Sequence, residues 1–325
     1  MDERLPLTIV TGFLGSGKTT LLQRFLRSEV GARTAVPVNE FGEAGLDHRL
    51  LLHAEERLEL LDGGCMCCAR RADIARAIHE LVRRAKADGG ARLDHLVIET
   101  TGLADPAPII ATLGRDAWMS GNVRLNSVIA VVDAVTGLAT LERHVEARRQ
   151  VAIADTLVVS KTDLRDALSM TELSAKFRAI APDARIFDSQ APGFDVGATI
   201  AAAEELRIAA PTFEIANHGT HVDGWQSFLL AMPERVDWPA FTLWLSALLH
   251  AHGDAILRVK GMLWISSTQG PVVIHGVQHV MHPPHHMPLG TILDKPFLVF
   301  ITNGVDRAAI EASLRRFLAA TPAAA

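Results

Sequence analysis

Eight residues near the amino terminus, Gly12-Phe13-Leu14-Gly15-Ser16-Gly17-Lys18-Thr19, restrict what this chain can fold into more than any other stretch. The spacing G-x-x-x-x-G-K-[ST] builds a phosphate loop only between a strand and a helix. Both flanks qualify: Leu7-Thr8-Ile9-Val10 is a short apolar run, and Thr20 to Arg27 has helical periodicity. Glycines at Gly12, Gly15 and Gly17 let backbone N–H groups wrap a β-phosphate, with Ser16 and Thr20 lining the same turn. Lys18 reaches the β- and γ-phosphates, and the Thr19 hydroxyl can bind Mg²⁺. The stretch predicts a nucleoside triphosphate site.

Strands and helices alternate beyond it. Thr34–Val38, Leu58–Leu61, His95–Glu99, Ser127–Asp133, Thr156–Val159 and Ala184–Phe187 read as strands, several of them nearly continuous apolar runs. Ala72–Ala87, Ala107–Leu113, Thr136–Arg149, Met170–Ile180 and Ala198–Leu206 read as helices. That alternation predicts an α/β, doubly wound, mostly parallel sheet over residues 1–208. From Pro211 the pattern changes to strand, helix, paired strands and a closing helix at Arg307–Leu318. Residues 209–325 therefore read as a second, α+β domain of ferredoxin-like order, β-α-β-β-α-β with one further hairpin. The Trp238, Phe241, Trp244, Leu245, Leu248 stripe is most simply core packing.

A net charge of −5 over 325 residues gives no electrostatic footprint for nucleic acid or an anionic membrane. No apolar run reaches the ~18 residues of a membrane span, and Met1–Pro6 is too polar for a signal peptide. The expected location is the cytoplasm, and nothing in the composition excludes a homo-oligomer.

The phosphate loop finds partners further on. Glu99 ends a buried strand before Thr100-Thr101-Gly102, where a carboxylate can hold Mg²⁺ and the Gly102 N–H can sense a γ-phosphate. No Gln stands after that turn to position water, so Asp105 or a carboxylate of the 39–47 loop is left to assist a slow hydrolysis. Ser160-Lys161-Thr162-Asp163 follows another strand, and Asp163 can accept from N1–H and N2–H₂ of guanine, a pairing adenine cannot make. Ser160 replaces the usual Asn of such a motif, which predicts a lost brace.

All three cysteines lie together as Cys65-Met66-Cys67-Cys68, too close for a disulfide framework. Arg70 and Arg71 favour thiolate. Three thiolates suit Zn²⁺ and leave one tetrahedral position open for Glu43 or a client group. A redox-sensing thiol cluster and inert buried cysteines are the alternatives. His279-Val280-Met281-His282-Pro283-Pro284-His285-His286 is either an auxiliary metal site or, more simply, a polar loop.

Gly12–Thr20, Asn39–Gly45, Gly64–Cys68, Glu99–Pro106 and Ser160–Asp163 resemble, in order, the motifs of CobW-like GTPases, relatives of the UreG and HypB nickel-insertion GTPases. The second half resembles the CobW C-terminal domain through His221, Ser227-Phe228, Lys260–Trp264 and Asp306-Arg307. The resemblance implies a GTP-hydrolysing metallochaperone that carries zinc or cobalt on the C-x-C-C motif to a client metalloprotein, with Mg²⁺ as cofactor. Two further classes stay open: a P-loop small-molecule kinase or ATPase with incidental thiols, and a metal-sensing regulatory GTP-binding protein with negligible turnover.

Overall fold

The computed structural model describes residues 4–35, 93–202, 224–266, 268, 270–288 and 295–320, together with helical residues within 75–83. Contacts divide the chain into two compact units, Met1–Arg178 with Ala184–Glu205, and Ala179–Asp183 with Leu206–Ala325. The boundary expected at 208/209, the 39–47 loop with Glu43, the strand expected at Leu58–Leu61, His221 and Cys65–Cys68 all lie outside the described residues.

The first unit is built on strands β1 (Leu5–Thr11), β2 (Thr34–Ala35), β3 (His95–Glu99), β4 (Val123–Asp133), β5 (Thr156–Ser160) and β6 (Arg185–Asp188). They form one six-stranded sheet in the order β2-β3-β1-β4-β5-β6, and every pairing is parallel. Helices lie in the crossovers, α1 (Lys18–Leu26), α2 (Ala107–Arg115), α3 (Ala117–Asn122), α4 (Gly137–Arg143), α5 (Val145–Ile153) and α6 (Ala167–Ile180), and α7 (Val196–Ala201) follows the last strand. Strands β3 and β5 bury every residue, which is why they read as continuous apolar runs. Val10, Leu22, Phe25, Val97, Ile129, Val158 and Ile200 share one core cluster. Full burial of each large member stabilises the sheet by roughly 1.5–3 kcal/mol before entropy is counted. Thr8 Oγ1 of β1 lies 2.9 Å from His95 Nε2 of β3 and donates to Ile200 O of α7 at 3.0 Å. Burial first, and then the nearby Arg124 charge, lowers the His95 pKa to about 4, so the ring stays neutral at ordinary pH.

Chain order changes direction at β1. After β1 the chain builds β2 and β3 on one side, then crosses to β4, β5 and β6 on the other. Ligands of open α/β sheets bind at such a switch, outside the carboxyl ends of the strands. One expected helix, Thr136–Arg149, is two. His144 adopts extended backbone (φ −118°, ψ 117°), and Arg148 Nη1 donates to Leu141 O and Glu142 O at 2.8 and 2.9 Å, ending α4 and starting α5.

The second unit has strands β7 (Trp225–Ala231), β8 (Ile256–Trp264), β9 (Pro271–Val277), β10 (Val280–Met281), β11 (His285–His286) and β12 (Phe297–Asn303). They form an antiparallel sheet, β10-β9-β8-β12-β7, with β11 paired to β9. Helices α8 (Trp238–His252) and α9 (Arg307–Ala320) complete it. Among the described residues the order of long elements is β-α-β-β-β-α, so the second helix follows the last strand, where a ferredoxin-like order would place it before. Strand β8 runs unbroken through Gly261. A Cβ on Gly261 would meet Phe297 O at 2.1 Å, so that glycine permits close strand approach and does not mark a break. Phe241, Trp244, Leu245 and Leu248 of α8 sit in the core as the stripe predicts. No described helix is long and apolar enough to cross a membrane.

Candidate nucleotide site

Gly12 leaves β1 with φ 144°, and a Cβ there would lie 2.3 Å from Val131 O, so no other residue fits the start of the loop. The loop then folds back over its own lysine. Lys18, at the first turn of α1, donates from Nζ to Gly12 O at 2.8 Å and Phe13 O at 3.1 Å. Its pKa lies below the ordinary lysine value because burial desolvates the ammonium, with the Glu99 charge opposing that shift. Beside it, Thr19 Oγ1 donates to Glu99 Oε1 at 3.0 Å. Register brings the two together, since Val10 of β1 pairs with Glu99 of β3 just before the loop. A hydroxyl and a carboxylate beside a phosphate loop are a hard oxygen donor set, which suits Mg²⁺. The Ser16 and Thr101 hydroxyls are buried with no hydrogen-bond partner among the described residues, as expected of groups shaped for a ligand. These residues fit a magnesium-nucleotide phosphate chain.

Gly102 packs against the loop so closely that a Cβ would meet Leu14 N at 2.6 Å. Its turn is closed by Ala104 N donating to Thr101 O at 3.0 Å. Asp105 Oδ1 accepts from Ala107 N at 2.9 Å, and Oδ2 lies 3.5 Å from Arg149 Nη1, so its carboxylate holds the start of α2. Thr20 is exposed on α1.

At the end of β5, Lys161 takes a left-handed backbone (φ 57°) and donates from Nζ to Gly15 O at 3.0 Å and Asp133 Oδ2 at 2.5 Å. Asp133 ends β4 beside Ser160 and also accepts from the Val135 and Thr136 N–H groups. Burial pushes its carboxyl upward, but the Lys161 hydrogen bond, the two backbone donors and the Lys161 charge together hold its pKa below the ordinary value. Asp133 has no role in the sequence reading; its only signal is an acid closing the run Ser127–Asp133. Asp163 stands exposed in a 3₁₀ turn, Thr162–Leu164, whose Thr162 Oγ1 donates to Asp188 Oδ1 at 2.6 Å.

The lost brace expected at Ser160 is corrected by the structure: Ser160 Oγ donates to Ser16 O at 2.6 Å, tying β5 to the phosphate loop. A neutral hydrogen bond is worth about 1 kcal/mol, or roughly fivefold in binding. Ser160→Ala is therefore expected to weaken GDP and a GTP analogue alike by about fivefold, read by calorimetry; unchanged affinity would mean the bond does not support the loop.

The histidine segment spreads out. His279 Nδ1 lies 2.9 Å from Leu249 O and its Nε2 3.2 Å from Asp254 Oδ1, the His282 ring lies tilted against His275 with centroids 4.7 Å apart, and His285 and His286 are exposed on β11. Among the described residues no group of three or more His, Cys, Asp or Glu side chains is placed to hold a metal ion.

A phosphate loop at the switch point, backed by Lys18, the Thr19–Glu99 pair and the Lys161 strand end, makes the first unit a P-loop GTPase domain. Residues 6–188 match the CobW/HypB/UreG nucleotide-binding domain, and residues 225–318 match the cobalamin synthesis protein cobW C-terminal domain. The chain belongs to the CobW/HypB/UreG family. It is 32% identical over 309 residues to the zinc chaperone YjiA of Escherichia coli, covering 93% of this chain and 94% of that one. Identity to the zinc chaperone CobW of Pseudomonas aeruginosa is also 32%, covering 97% and 92% of the two chains. The crystal structure of Zn(II)-bound YjiA GTPase from E. coli superposes with a TM-score of 0.68 at 27% identity, covering 97% of this chain and 99% of that one.

Proposed function

We propose that the chain is a GTP-hydrolysing metallochaperone that loads Zn²⁺, or Co²⁺, on Cys65, Cys67 and Cys68 and passes it to a client metalloprotein. The observation that carries the nucleotide half is the buried Lys18 beside the Thr19–Glu99 pair. The cargo half is supported by the C-x-C-C sequence and by relatives named as zinc chaperones.

In this reading Gly12, Gly15, Ser16, Gly17, Lys18, Thr19 and Thr20 hold the phosphates, and Thr19 with Glu99 holds Mg²⁺. Bound there, the ion would supply charge neutralisation to the phosphates. The Gly102 N–H reads the γ-phosphate, while Asp163 selects guanine with Lys161 and Ser160 fastening the base end to the loop. Asp105, held at the start of α2 by the Ala107 N–H and Arg149, or a carboxylate of the 39–47 loop assists hydrolysis. With no Gln after Gly102, turnover is slow until a partner docks. Glu43 or a client group completes the tri-thiolate site. The reducing cytoplasm suits thiolates kept for metal.

Binding of GTP against ATP, followed by turnover with and without Zn²⁺, tests the reading. The expected result is a GTP preference with slow, zinc-responsive hydrolysis. An ATP preference would sink it in favour of a kinase or ATPase, and GTP binding without turnover would point to a regulatory protein.

A further inference from the structure

We infer that Gln150 is the positioning residue of the Gly102–Ala104 turn, holding it in the shape that meets a γ-phosphate. The inference rests on the GTPase reading above.

Gln150 lies on α5 and is 1% exposed. Its Nε2 donates to Gly102 O at 3.1 Å and to Ala104 O at 3.0 Å. The amide orientation follows from chemistry, because two carbonyls need the NH₂ end and use both of its protons. Gln150 Oε1, by contrast, is buried with no partner among the described residues. A methionine or leucine in this place would avoid burying that unpaired oxygen. The same change would leave the Gly102 and Ala104 carbonyls without their donor, so the glutamine accepts one unpaired oxygen in order to hold both.

The neighbours point to the same task. Arg149, one residue earlier, pairs with Asp105 at the far side of the turn. His144, which caps the start of α5, has its ring centroid 4.5 Å from that of Phe13 in the phosphate loop. Gln150 itself lines a crevice with Gly12, Phe13, Leu14 and Ser16. One short helix thus touches the loop that holds phosphate and fastens both carbonyls flanking Leu103. Because Gly102 is already pressed against Leu14, the turn has little room toward the loop. Its exact presentation to a third phosphate therefore depends on what holds it from behind. GDP, lacking that phosphate, makes no such demand.

The test uses the full chain with Gln150→Met, which keeps length without donors, and Gln150→Glu, which places a carboxylate against two carbonyls. For Gln150→Met, GDP affinity is expected to stay within about twofold, while GTP-analogue affinity and kcat fall about 25-fold, as two lost donors at about fivefold each imply. Gln150→Glu is expected to match that defect at pH 8 and regain activity toward pH 6. Burial beside two carbonyls raises the new carboxyl's pKa, and the protonated acid supplies one donor. That pH dependence carries the test if the methionine variant unfolds. Equal losses for GDP and the GTP analogue, or no loss for either, would overturn the inference. If the wild-type chain binds no guanine nucleotide, the GTPase reading falls and takes this inference with it.

Discussion

Lys18→Ala is expected to lower kcat/KM for GTP by roughly 10²–10³, the scale for removing one preorganised charge-stabilising donor. The structure says why the loss is large. Lys18 is 8% exposed and its ammonium is held by the Gly12 and Phe13 carbonyls, so it is already in place when the phosphates arrive. Little reorganisation is needed at the moment of reaction. Alanine removes the charge and leaves two loop carbonyls without that donor, so the loop itself loosens. Both GDP and GTP affinity should fall, with GTP the more affected because charge builds on the transferring phosphoryl group. Wild-type pH behaviour supplies an independent check. Burial lowers the Lys18 pKa from 10.5, so in the nucleotide-free protein the charged form is lost at a lower pH than for a free lysine. The alkaline limb of nucleotide binding should therefore begin below that value and be absent from Lys18→Ala. A variant with near-normal turnover would remove Lys18 from the machinery.

Local chemistry made parts of this site readable from the residues alone. Gly12 and Lys18 are forced by a turn with one backbone solution, and β3, β4 and β5 by runs too apolar to lie anywhere but inside a covered sheet. Glu99 follows from strand register, since a parallel neighbour of β1 must end beside the phosphate loop. What stayed hidden depends on partners distant in sequence. Ser160 reaches Ser16 across 144 positions, and Gln150 reaches Gly102 across 48. No local pattern separates Gln150 from any other polar residue on an amphipathic helix. Asp133 looked like a strand end until Lys161 was seen to bridge it to Gly15. The break at His144 was equally invisible, because Arg148 ends the preceding helix from the following one. In the second unit, the close approach of Phe297 O to Gly261 likewise joins positions far apart in the chain.

Replacing one thiol, Cys67→Ser, is expected to weaken Zn²⁺ binding by roughly 10²-fold. Structural zinc binds with apparent free energies of about 10–16 kcal/mol, or about 3 kcal/mol per ligand over four ligands. Each 1.4 kcal/mol is a factor of about ten. Serine cannot replace the ligand, because its hydroxyl is hard and stays protonated where a thiol beside Arg70 and Arg71 ionises. Competition against a chelator of known affinity measures the loss, and Cys65→Ser and Cys68→Ser should behave alike if the three thiolates share one ion. The coupling is read on the same proteins with GDP and with a GTP analogue bound. The cysteines lie between the phosphate loop and Glu99 in the chain, so a nucleotide-dependent change of the intervening segment would alter their arrangement. Linkage then requires the effect to run both ways: if the GTP analogue tightens zinc tenfold, zinc tightens the analogue tenfold. In Cys67→Ser both effects should collapse together while GDP affinity holds. Equal zinc affinity in the two nucleotide states of the wild-type chain would leave the thiols as a metal site that the GTPase does not control. Undiminished zinc binding in all three serine variants would leave them outside the site altogether.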